Sequence, residues 1–210
     1  VEIPGDGVTV ALHLLPLASF DRPQRLDAKY LHQKFMKYQT LGQWRSMQEG
    51  ARINRDGVLH YSLEKGARIG SYTLVTYTGC IEAVERYDGY LRDDNGMRTL
   101  KTRGLEDNLM RTCKSCMEFM QECDVMAPLA VALTVAGVRD AVIPSQASFG
   151  YGIFPITRDP LIFRAVLLNE YPESVASALR EVFDSLWQAS GYPSCMRYDE
   201  NGRWEGREDY

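Results

Sequence analysis

Ala51-Arg52-Ile53-Asn54-Arg55-Asp56-Gly57-Val58-Leu59-His60-Tyr61-Ser62, followed by Ser71-Tyr72-Thr73-Leu74-Val75-Thr76-Tyr77-Thr78-Gly79-Cys80-Ile81-Glu82-Ala83-Val84-Glu85, decides the fold class of this chain of 210 residues. Runs rich in β-branched and aromatic residues alternate with a period near two, which is the signature of half-buried strands. Asp56-Gly57 suits the positive φ angles of a type I′ hairpin turn, and Thr78-Gly79 predicts a second turn. A meander of three or four antiparallel strands follows.

The flanks extend this reading. Val8 to Leu15 is apolar and β-branched and stops at Pro16, so it predicts a buried strand. Asp27 to Tyr38 carries Tyr30, Leu31, Phe35 and Tyr38 near helical spacing and predicts a short helix. Leu105 to Cys123 predicts a long one, with Leu105, Leu109, Cys113, Cys116, Met117, Met120 and Cys123 on one stripe. Leu129 to Val135 and Leu161 to Leu168 read as two further strands, and Ser145 to Pro155 as an exposed loop. Pro172-Glu173-Ser174 opens a last helix reaching Ala189, which Gly191 and Pro193 close. Strands gathered early and helices segregated later give an α+β fold with a mainly antiparallel sheet. The expected organisation is one domain over residues 1–193 and an aromatic, polar tail over 194–210.

The formal net charge of −4 is unevenly spread. Between Arg22 and Arg68, ten Lys/Arg stand against four Asp/Glu, a local +6, so the rest of the chain sums to −10. That asymmetry suggests a positive face on an acidic body. The longest apolar run, Val8 to Leu17, is too short to span a bilayer, and no membrane contact is expected. Five cysteines, an odd number in a sizeable domain, argue against a disulfide scaffold and for the cytoplasm. Val1 in place of an initiator Met reads as the start of a fragment of a longer protein.

Candidate chemistry is sparse. Cys113-Lys114-Ser115-Cys116, with Cys123 beyond, has the spacing of a zinc or redox site. It lies in mid-helix on the stripe of Met117 and Met120, however, and His13, His32 and His60 form no pairing motif. Core packing is the favoured reading. Gly66 to Gly70 runs into a strand rather than a helix, and Phe149 to Gly152 runs towards Pro155 with no lysine nearby, so neither is read as a phosphate cradle. His60 and Ser62 would share a strand face, but no acidic orienter or nucleophile elbow accompanies them. Glu82, Glu85, Asp93 and Asp94 read as solvated strand ends and turns. No catalytic residue, metal or cofactor is expected.

The segment from Arg22 to Arg68 interleaves cations with aromatic side chains, a composition suited to phosphates and unpaired bases. Trp44, Arg45, Arg52, Arg55, Tyr61 and Arg68 are the candidate nucleic-acid contacts. The competing reading makes the aromatics core and the cations a solvated rim.

Several blocks together resemble a bacterial family, the regions downstream of a Schlafen-type, AlbA-like DNA-binding domain that often carries an ATP-binding label. They are Leu12-His13-Leu14-Leu15-Pro16-Leu17-Ala18-Ser19-Phe20, Trp44 with Arg52 to Tyr61, Ser71 to Val84, and Leu133-Thr134-Val135-Ala136-Gly137-Val138-Arg139. Phe183 to Pro193 and Tyr198-Asp199-Glu200-Asn201-Gly202-Arg203-Trp204 complete the set. The likeness runs through most of the chain in order, and it implies that the AlbA-like domain precedes Val1. The family's labels belong to that domain, so no functional residue carries over. The implied role is a non-catalytic sensing, partner-binding or oligomerising module of a Schlafen-like protein, with Trp44 or Trp204 marking a contact surface. The alternative is a direct nucleic-acid-binding surface on residues 22–68. Candidate partners are the AlbA-like domain of the same protein, nucleic acid and a second copy of the chain.

Overall fold

The computed structural model describes residues 7–21, 25–35, 37–38, 41, 48–64, 68–94, 96–144 and 154–205. Its main sheet contains β1 (Val8–Pro16), β2 (Gln48–Ile53), β3 (Gly57–Glu64), β4 (Arg68–Thr76) and β5 (Ile81–Tyr87). Later in the chain β8 (Leu129–Ala136), β9 (Leu161–Ile162) and β10 (Val166–Leu168) join it. The strand order is β10-β8-β1-β5-β4-β3-β2, with β9 also on β8, and every pairing is antiparallel. A separate hairpin pairs β6 (Leu91–Asp94) with β7 (Met97–Leu100). The helices are α1 (Ala18–Asp21), α2 (Ala28–Phe35), α3 (Thr102–Glu122) and α4 (Val175–Gln188). The fold is α+β with a mainly antiparallel sheet, as its sequence patterns require.

One face of the sheet is covered by α2, α3 and α4. Val8, Val10, Leu12 and Leu14 of β1 and Leu129, Val131, Leu133 and Val135 of β8 point to it and form the core with the apolar stripe of α3. Cys113, Cys116 and Cys123 belong to that stripe and are buried, so they act as small apolar side chains there. Towards β3 and β4 the same face turns polar. Ser71 pairs with Ser62 and Thr73 with His60, and all four are buried. Glu85, only 2 % exposed, continues the row opposite Ser71. Its carboxylate accepts from Tyr90 Oη at 2.9 Å and Asn108 Nδ2 at 2.8 Å.

Several expectations need correction. Asn54 to Gly57 does join β2 to β3, but no residue of this turn has positive φ, so it is not type I′. Asn54 Oδ1 accepts from the backbone of Asp56 and Gly57 and closes the turn. Gly57 is needed for space, since a Cβ there would lie 1.9 Å from the carbonyl oxygen of Val75. The continuous strand over Leu161 to Leu168 is two short ones, because β9 pairs with Thr134 and Val135 while β10 pairs further along with residues 129–131. The β6–β7 hairpin has no counterpart in the sequence reading. Glu85 is no solvated strand end but part of the core. The expected loop over Ser145 to Pro155 lies mostly outside the described residues.

The C-terminal segment docks onto α3 and α4. Arg197 Nη1 donates to Asp107 Oδ1 at 2.8 Å and to Glu106 Oε2 at 3.3 Å. Glu106 is fully buried and also accepts from Trp187 Nε1 at 2.7 Å. Burial raises its pKa, against the opposing hydrogen bond from Trp187 and the charge of Arg197. Trp204, expected as an exposed contact residue, is half-buried: Arg197 stacks on it at 4.3 Å and Tyr198 meets it edge-on at 5.0 Å.

Removing the Tyr90 hydroxyl takes one donor from a buried carboxylate. Tyr90→Phe is expected to lower stability by about 1–3 kcal/mol in urea unfolding. Burial pushes the thiols of Cys113 and Cys195 up to about 12 and that of Cys123 up to about 11. In native protein a thiol reagent is therefore expected to label half-exposed Cys80 and to reach the other four cysteines only on unfolding.

Candidate functional site: the outer face of the sheet

The opposite face carries a second apolar cluster made entirely of strand residues. Leu59, Tyr72 and Val84 are buried at its centre, with Ala11, Tyr61, Ile69 and Leu74 packed around them. Among the described residues, no helix belongs to this cluster. On the β8 side the outward positions are small, Ala130, Ala132 and Thr134, and beyond them Ile162 and Leu167 are 76 % and 57 % exposed. A sheet face with apolar side chains that no described helix covers is a surface suited to contact.

A polar network sits within this patch. His13 and Glu82 are directly paired across β1 and β5, with His13 Nε2 3.0 Å from Glu82 Oε2. Tyr72 Oη donates to the other carboxylate oxygen at 2.6 Å. The His13 and Tyr72 hydrogen bonds hold the Glu82 carboxyl below its ordinary range, with burial opposing them. Burial first and Glu82 second raise the Tyr72 pKa, so its phenol stays protonated as a donor. Both carboxylate oxygens are engaged, and the arrangement fixes side chains rather than activating a nucleophile. Pairing of Glu82 with His13 was legible only through strand register, across 69 residues of sequence.

Arg52 and Tyr61 lie on this face of the β2–β3 edge, with Arg55 in the turn beyond. Arg52 is exposed beside Leu59, and Arg55 is exposed in the turn. Tyr61 lies across Gly50, where a Cβ would stand 2.4 Å from its Cζ atom. Arg68 opens β4 opposite Glu64, at the end remote from that turn. Trp44 and Arg45 lie outside the described residues.

The helical part of the basic segment is on the other side. Tyr38 and Lys34 both bond the Glu122 carboxylate, Tyr30 Oη donates to the Glu122 carbonyl, and Phe35 is in the core. The cations and aromatics that alternate in sequence are thus divided between two surfaces. On that helical side a concavity of about 770 Å³ runs along α3 towards the start of α4, floored by Met110 and Met117. Its rim mixes Lys37, Arg111 and Lys114 with Asp107, Glu118 and Glu173. Among the described residues, no three His, Cys, Asp or Glu side chains cluster to hold a metal ion.

A carboxyl whose folded pKa is depressed contributes stability above its ordinary range, and that contribution is lost as pH falls through the folded value. Glu82→Gln is therefore expected to cost stability at pH 7 and nothing at a pH below the native titration. Because the group is 37 % exposed, the difference should stay below about 1 kcal/mol, read as the change in urea midpoint between the two pH values. Set beside known proteins, the chain matches no family model, no curated protein and no solved structure.

Proposed function

We propose that this chain is a non-catalytic binding module of a bacterial Schlafen-like protein, and that the outer face of its sheet docks the AlbA-like domain of the same polypeptide. The observation that carries this reading is the apolar cluster of Leu59, Tyr72 and Val84, to which no described helix contributes. The polar pair within the patch, Glu82 with His13, is hydrogen-bonded internally. A centre that is apolar, with its polar groups already paired, suits a protein surface better than a phosphate backbone, which demands free cations. No described helix is long and apolar enough to cross a membrane, and all five cysteines are free. The free thiols support the cytoplasm as its compartment.

A second reading rests on the corner of Arg52, Arg55 and Tyr61. Two exposed guanidinium groups beside an aromatic ring offer a phosphate and stacking contact. Both readings use the β3 side of this face, with Arg52 beside Leu59 and Tyr61 within the cluster, and they differ in whether apolar side chains or guanidinium groups make the contact, so variants separate them.

The AlbA-like domain and this chain, produced as separate polypeptides, are expected to associate with a micromolar dissociation constant in calorimetry. Ile162→Asp with Leu167→Asp should weaken that association by about tenfold or more. Both side chains are exposed, so melting should shift little. Absence of association, or the same affinity in the double variant, would overturn the docking reading. In parallel, labelled single-stranded DNA, duplex DNA and RNA are titrated at low and moderate salt. Salt-sensitive binding lost in Arg52→Glu with Arg55→Glu would establish the second reading instead.

A further inference from the structure

Two histidines distant in sequence face each other where α2 covers the sheet. His60 projects from β3 into the covered side, 3 % exposed, and His32 stands over it on α2. Their ring centroids are 5.9 Å apart and their planes are tilted by 32°. Phe35 closes against His60 edge-on at 4.8 Å. Each ring also has a buried nitrogen without a hydrogen-bond partner, Nδ1 of His32 and Nε2 of His60. A buried polar atom left unpaired costs about 1–3 kcal/mol. Two in one small volume point to a shared ligand between the rings.

The donor set selects that ligand. A neutral imidazole coordinates a metal ion through an unpartnered ring nitrogen, and each ring here has one. The nearby hydroxyls of Ser62 and Ser71 hydrogen-bond each other. The described residues bring no third His, Cys, Asp or Glu into such a group, and a structural zinc site takes four protein ligands. A divalent ion here would bring two charges into a buried site without a carboxylate to balance them. A monovalent soft ion brings one, and imidazole is a good copper ligand. Two imidazoles sharing one ion at about 2.0–2.1 Å from each nitrogen place their centroids roughly 5–6.5 Å apart. The observed separation falls within that span.

We propose that His32 Nδ1 and His60 Nε2 bind one Cu(I) ion in two-coordinate geometry between α2 and the sheet. The ion fastens α2 to β3, the strand that also carries Tyr61 and leads from the Arg52–Arg55 corner. The role is independent of the docking proposed above.

The test uses this chain, freed of metal with a chelator and kept anaerobic and reduced, titrated with Cu(I) against a chromophoric Cu(I) chelator and separately with Zn²⁺. Cys80→Ser serves as the background, because half-exposed Cys80 is the thiol most able to compete. One Cu(I) per chain is expected, with a higher melting temperature and perturbed nitrogen NMR signals at His32 Nδ1 and His60 Nε2. His32→Gln should weaken binding by more than about 100-fold, the upper end of what losing a mere outer-shell partner costs. His32 is only half-buried, so this variant keeps the fold if His60→Gln does not. No uptake of Cu(I), unchanged uptake in His32→Gln, or Zn²⁺ binding of equal tightness at the same residues would each overturn the proposal.

Discussion

A carboxylate in the middle of a sheet has to be satisfied, and Glu85 is that carboxylate. It sits on β5, the strand joining β1 to the β4–β3–β2 half of the sheet, and points under the helices. Its acceptor capacity is met by Tyr90, from the short 3₁₀ turn after β5, and by Asn108, from α3. Tyr90 Oη and Asn108 Nδ2 lie 2.8 Å from each other, so the three groups close a triangle. α3 cannot slide along or roll over the sheet without withdrawing the Asn108 amide from a buried carboxyl group, which costs more than a mismatched apolar contact. Once α3 is fixed, its other polar anchor follows, because Glu106 on the same helix holds Trp187 of α4 and Arg197 of the C-terminal segment.

The polar half of the covered face explains why the sheet's sidedness is hidden in the sequence. In Ser71-Tyr72-Thr73-Leu74 the alternation is plain, and burial of apolar side chains would put Tyr72 and Leu74 under the helices. The structure does the reverse. Ser71 and Thr73 are at the covered face, 2 % and 0 % exposed, while Tyr72 and Leu74 join the outer cluster. A period of two states which residues share a face and leaves open which face is the core. That choice is made by partners far along the chain, such as Asn108 for Glu85. Elements with strong periodicity, α3, α4, β1 and β8, were legible because the same residues supply both the pattern and the packing. The β6–β7 hairpin was not, since Leu91 to Leu100 contains few apolar residues to show a period.

The candidate site was legible only in part for a related reason. Composition finds the basic segment, but a strand and a helix placed in succession need not share a surface. The cations and aromatics of the helical stretch turn towards Glu122 and the core, while Arg52 and Tyr61 lie on the outer sheet and Arg55 in its turn. His32 and His60 show no motif because 28 residues separate them, and only the docking of α2 on β3 makes them neighbours. In each case the deciding contact is tertiary, while the sequence signal is local.

The strand order also constrains how the chain is made. β1 lies between β5 and β8, and both of its partners are synthesised after it. At about 5–20 residues per second, β8 emerges roughly 6–24 s after β1 has left the ribosome. During that interval Val8, Val10, Leu12 and Leu14 form a finished apolar strand with one edge open. The nascent chain must therefore hold β1 on the meander, or shield it on a chaperone, until residues 129–136 arrive. A ribosome pause placed between β5 and β8 would lengthen that exposure, whereas one after β8 would not.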